Sequence, residues 1–157
     1  MTSDSEILAQ VEDVFGRCKR PVHFTNWTHC SECEEHDNLL RSRTLETLRL
    51  QDIENPGWDP LCFITAEGFK YYFPALARIT LSGSEADWYG GQLLFHLIYE
   101  GANNRHLLAS NESQRHTVVA LLKHLENTRT KLVAEHFDGN DLSTAIKLWS
   151  NSPASRP

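Results

Sequence analysis

Cys30, Cys33 and His36 form the pattern C-x-x-C-x-x-H inside 29-HCSECEEHD-37. Thiolate and imidazole in one tight turn are the ligands that Zn²⁺ takes in tetrahedral sites. Three donors leave a fourth position. Cys62, His29, His23 or an exchangeable water are the candidates for it. A closed set of four would be structural. An open position would acidify a bound water and make the site catalytic. Asp37 or Glu34 is placed to orient His36 through its other ring nitrogen. A second C-x-x-C or H-x₃-H pair is missing, so two further readings stand beside the metal. One is a redox dithiol, which usually follows a strand and opens a helix in a βαβ setting that this sequence does not show. The other is a pair of inert thiols.

The segments that must position these residues read as helices. Ser3 and Glu6 have capping-box spacing, and Ile7, Leu8, Val11, Val14, Phe15 and Cys18 share one helical face over residues 3–18. Pro21 ends that helix, and 21–29 reads as a loop with aromatic anchors. The cysteine segment leads into a short helix, and 44–53 into another. The stretch 55-NPGWDP-60 is a rigid turn. Thr65 caps a helix with Phe69, Tyr72, Phe73, Leu76 and Ile79 on its apolar face, kinked or restarted at Pro74. Residues 88–99 are apolar nearly all round and read as a buried helix, with a buried strand as the alternative. A long helix is expected near 112–137, stopped by Gly139. Asn140 or Asp141 then caps a last helix to about Trp149, and 151–157 is expected to fray. The fold class is therefore a single compact, mostly α domain over 1–150.

Composition narrows the function. The chain has 157 residues, 40% of them apolar, and a formal charge of −6. That is a globular balance, too apolar for a disordered chain. No run approaches the roughly 18 apolar residues of a membrane helix, and the start MTSDSEILAQ lacks the basic and apolar regions of a secretion signal. A cytoplasmic location is expected. The negative balance argues against nucleic-acid binding and suits a basic protein partner. No phosphate loop, nucleophile elbow, H-E-x-x-H or paired-carboxylate set is present. Among the eight histidines, His96 reads as a core residue and His116 and His124 as surface residues. Cys18 and Cys62 read as core before they read as ligands.

Taken together, 30-CSECEEHD-37, 55-NPGWDPLCF-63, 67-EGFKYYFPALAR-78, 93-LLFHL-97 and 114-QRHTVVALLKHL-125 resemble a family of small bacterial proteins known as a domain of unknown function. The resemblance spans roughly residues 20–135. It implies a bacterial or phage source and one compact unit, and it brings no activity. The functional expectation is a non-enzymatic interaction protein, immunity-like or regulatory, with a structural Zn²⁺ at Cys30, Cys33, His36 and Cys62. The alternative is an enzyme that uses the same segment through an open metal or a reactive thiol.

Overall fold

A computed structural model describes residues 2–151. The described residues contain nine α-helices and no strand. The chain is a mostly α single domain. The expected fraying of 151–157 falls, from residue 152 on, outside the described residues.

The first helix, α1 (Asp4–Phe15), starts where the sequence signals it. Ser3 Oγ accepts from the Glu6 amide, and Glu6 closes the capping box by accepting from the Ser3 amide at 2.7 Å. Ile7, Val11 and Phe15 bury its inner face, at about 2 kcal/mol per large side chain. This helix packs across α4 (Ala66–Ser82) and α7 (Glu112–Thr128). Thr65 Oγ1 caps α4 as expected. Pro74 does not restart it: α4 runs unbroken through the proline. The missing amide costs one backbone bond, and the buried run Phe73, Pro74, Ala75, Leu76 and Ala77 holds the segment in place.

The helix expected over 112–137 is two helices, α7 and α8 (Thr130–His136). The break is at Arg129, whose ψ of 43° leaves the helical region. Its guanidinium is spent on tertiary contacts, to both Asp4 carboxylate oxygens at 2.6 Å and to the Leu81 carbonyl at 2.8 Å. His124 is buried rather than exposed, with Nε2 2.7 Å from Asp4. The apolar run at 88–99 is helical, as α5 (Gly90–Ile98). The last helix, α9 (Asp141–Ser150), lies against α5 and α7 and buries Leu142, Ala145 and Trp149.

Two short helices complete the part that carries the cysteines: α2 (Ser31–Arg41) and α3 (Leu50–Ile53). Tight 3₁₀ turns follow at Pro56–Trp58 and Pro60–Cys62. A four-residue helix, α6 (Arg105–Leu108), precedes α7. No helix is long and apolar enough to cross a membrane among the described residues.

Candidate metal centre

Helix α2 is fastened at its C-terminus and along its length. At its C-terminus the Tyr72 hydroxyl, on α4, is shared between the carbonyls of Leu40 and Arg43. Burial pushes the Tyr72 phenol up to about 12, so it remains a donor. Near its middle the buried Asp37 carboxylate accepts from the amides of Phe24 (2.6 Å) and Thr25 (3.2 Å), and His23 Nδ1 lies 2.7 Å away. Thr25 Oγ1 donates to the Cys33 carbonyl at 2.7 Å. The Phe24 carbonyl accepts from Thr65, and Thr25 pairs with Ile64 in an isolated bridge. Asp37 thus binds the 23–25 loop to the helix that holds the cysteines.

The chain then turns at Asn26–His29 and enters α2 with Cys30 as the N-cap. Cys30 is extended (φ −162°), and its sulfur accepts from the Cys33 amide at 3.4 Å. Cys30 and Cys33 sulfurs are 3.3 Å apart, within hydrogen-bond reach. His29 Nδ1 lies 3.7 Å from Cys33 Sγ. Cys30 and His29 are exposed, while Cys33 is buried beneath them. The Cys33 amide, followed by the His29 ring and the Cys33 thiol, lowers the Cys30 thiol from its ordinary value to about 7. The hydrogen bond with Cys30, then burial, pushes Cys33 up. One sulfur is thus poised as a thiolate and its neighbour keeps the proton.

Two groups of three ligand-type residues occur among the described residues: His29, Cys30 and Cys33, and separately Asp59, Cys62 and His96. Each group brings its donor atoms within 4.8 Å of one another. The first group can hold a metal. Of the residues expected there, Cys30 and Cys33 come together, and His29, carried only as an alternative, joins them. His36 lies outside the group. It falls on the inward face of α2 with Cys33, Asp37 and Leu40. Its ring is clamped between Phe63 (4.9 Å) and Trp58 (4.7 Å). Neither of its nitrogens makes a hydrogen bond among the described residues, and Glu32 Oε1 stands 3.5 Å from Nε2. Cys62, expected as core or as a fourth ligand, is exposed and belongs to the second group. Its turn exists because Asp59 caps it and Pro60 opens it, which swings the thiol outward beside Asp59 and His96.

The signal for His29 was its place directly before a cysteine that caps a helix. An extended N-cap folds the preceding residue back over the first turn, where its ring meets Cys33. Asp59 and His96 had no such signal, since 37 residues separate them.

No curated protein and no solved structure matches this chain. A family model does, described as a family of unknown function, DUF6714, and it covers residues 3–152, so the chain belongs to that family.

Proposed function

We propose that the chain is a zinc-binding interaction domain that holds the ion at His29, Cys30 and Cys33. One observation carries this reading: the spacing of the donor atoms. In a tetrahedral zinc site, sulfur–sulfur edges are about 3.8 Å and sulfur–nitrogen edges about 3.5 Å, given the usual bond lengths. The separations here are 3.3 Å between the sulfurs and 3.7 Å between Cys33 Sγ and His29 Nδ1, so an ion fits once the sulfurs part by about half an ångström. Two thiolates and an imidazole select a soft ion over magnesium or calcium. In a reducing cytoplasm the pair stays free to bind it. The exposed side of the group leaves the fourth position to water or to a partner's side chain.

The surroundings favour a protein partner. Val22 and Trp27 stand exposed on the loop that leads into the site. The exposed carboxylates of Glu34 and Glu35 follow on α2. An apolar contact edged by acidic groups suits a basic protein.

The test is metal content of the chain purified without chelator or tag, beside Cys33→Ser, His29→Ala and His36→Ala. One zinc per chain, lost in Cys33→Ser, weakened in His29→Ala and kept in His36→Ala, is the expected result. Zinc lost in His36→Ala and kept in His29→Ala would move the third ligand to His36. A folded protein that takes up no added zinc would remove the metal. For the partner, Trp27→Ala should weaken binding to a basic protein captured from the source cell, and equal binding would sink that part.

A second reading rests on the low Cys30 thiol beside a buried Cys33. The pair then acts as a dithiol: two thiols become a disulfide while a substrate disulfide takes up two electrons and two protons. Metal-free protein that reduces insulin disulfides, with loss in Cys30→Ser, would favour it.

A further inference from the structure

Two members of the second group, Cys62 and His96, line a cavity of about 190 Å³, and Asp59 is bonded to His96. Asp59 and His96 are buried, and Cys62 is exposed. His96 Nε2 and Asp59 Oδ2 are 2.7 Å apart. That is a hydrogen bond, well inside the roughly 3.4 Å edge of a nitrogen–oxygen zinc site. A hydrogen bond already joins these two atoms. Asp59 also accepts from the Leu61 amide (2.9 Å) and from Gln92 Nε2 (3.2 Å), and Gln92 is pinned in turn to the Ile53 carbonyl (3.1 Å). A carboxylate is an acceptor only, so Nε2 donates to Asp59 and Nδ1 is the ring nitrogen left for another partner. The Cys62 sulfur lies within 4.8 Å of a donor atom of Asp59 and of His96, and a carboxylate that holds a histidine in this way orients it as a base. Burial, followed by the nearby Asp59 charge, pushes the Cys62 thiol up, so the sulfur needs such a base.

The cavity is shaped as a small-molecule site: mostly apolar, with a few convergent polar groups. Phe95 and Tyr99 line it and remain about half exposed, at 49% and 55%, with their rings 5.5 Å apart. Arg105 adds an exposed cation and is anchored by Nη2 to the Cys62 carbonyl at 3.2 Å. His106 is only 3% exposed, and its Nδ1 has no partner among the described residues. Its ring stacks on Phe69 at 3.9 Å, and burial pulls it down to about 3, so it stays neutral. Glu100, also in the lining, is the one non-glycine residue with positive φ (65°) among the described residues. Strain of this kind concentrates at working sites.

We propose that this cavity is an acyl-transfer site for a small ester or thioester that carries a planar apolar group and an anionic group. The Cys62 sulfur attacks the carbonyl carbon and its proton passes to His96 Nδ1. A carbon–sulfur bond forms, the bond to the leaving group breaks, and His96 returns the proton to the leaving oxygen or sulfur. Water then attacks the acyl-sulfur bond with His96 as base. The acid departs and the thiol regains its proton, with no change of oxidation state. Asp59 positions His96, Phe95 and Tyr99 hold the planar group, and Arg105 meets the anion.

The first probe is p-nitrophenyl acetate, with nitrophenolate release followed by absorbance and the acetyl group located by peptide mass spectrometry. The whole chain is used, in chelator. Acetylation of Cys62 to about one per chain, at least tenfold faster than free N-acetylcysteine at the same pH, is expected. His96→Gln keeps an amide for Asp59 and should slow the reaction at least tenfold. Cys62→Ala changes an exposed side chain and should abolish acetylation at that position while the helical circular dichroism is kept. Cys62 reacting no faster than N-acetylcysteine or than Cys18 of the same chain overturns the proposal, whether or not His96→Gln folds. A folded His96→Gln with an unchanged rate overturns it as well.

Discussion

Cys30 and Cys33 sit with His29 at the open start of a helix, whereas Cys62 sits with His96 and Asp59 over a buried hydrogen bond. Both groups combine sulfur and imidazole, yet what already bonds their atoms differs. The sulfurs at 3.3 Å must part by about half an ångström to take an ion, and the 3.7 Å pair already admits one. A separation of 2.7 Å leaves room for a proton alone. The thiols diverge too: backbone and imidazole hydrogen bonds draw Cys30 down, and burial drives Cys62 up. Ligand-type residues near one another therefore do not define a chemistry. The distance between donor atoms, and what already bonds them, does.

The largest expected effect breaks the second group alone. Asp59→Ala strips the acceptor from His96, Gln92 and the Leu61 amide in a buried place, at a cost of roughly 3 kcal/mol. Urea denaturation should show that loss while zinc content stays at one per chain. A parallel loss of zinc would mean the two groups are one site.

Next comes the metal. Zinc at a hundredfold excess over its Kd should stabilise the wild type by about 2.7 kcal/mol, raising Tm by roughly 5–10 °C at this length. Cys33→Ser should show no zinc-dependent shift, and Asp59→Ala should keep it. Thermal melts with and without zinc decide the point.

A smaller effect separates the thiols by pH. In chelator, Cys30 should be half-reactive toward iodoacetamide near pH 7, following its thiol at about 7. Cys62, whose thiol burial raises, should reach its midpoint at a higher pH than Cys30. The folded Cys30 value is lowered, so its contribution to stability is present above about 9 and lost as pH falls through about 7. His29→Ala should move the Cys30 midpoint upward. Equal midpoints for Cys30 and Cys62 would erase the contrast.

The smallest effect tests strain at the cavity. Glu100→Gly should relieve the left-handed backbone and raise stability by up to about 1 kcal/mol, offset in part by glycine's greater freedom when unfolded. Metal uptake should not change. A clear loss of stability would show that the Glu100 side chain is needed there.

The helices that local chemistry specifies were legible. Ser3 with Glu6 started α1, Thr65 started α4, and the apolar run at 88–99 became α5, because caps and periodicity act within a few residues. The break at Arg129 was not legible, since Asp4 and Leu81, which take its side chain, lie far away in sequence. His124 was misplaced for the same reason: its partner is Asp4. The His29–Cys30–Cys33 group spans five residues and was nearly readable, short only of the rotation that sends His36 inward between Trp58 and Phe63. The Asp59–Cys62–His96 group needs a turn and a helix brought together by burial, and spacing carries no trace of that.

Trp149 brings one further consequence, in the order of events as the chain is made. Its indole donates to the Leu97 carbonyl at 2.9 Å, across 52 residues. Leu97 adjoins His96 near the end of α5, where the last carbonyls of a helix lack partners of their own. A chain still in translation has built the cysteines, the turn and α5 long before this indole exists. A product cut short before residue 149 would leave that carbonyl bare and the apolar faces of α5 and α7 uncovered, a natural target for quality-control proteases.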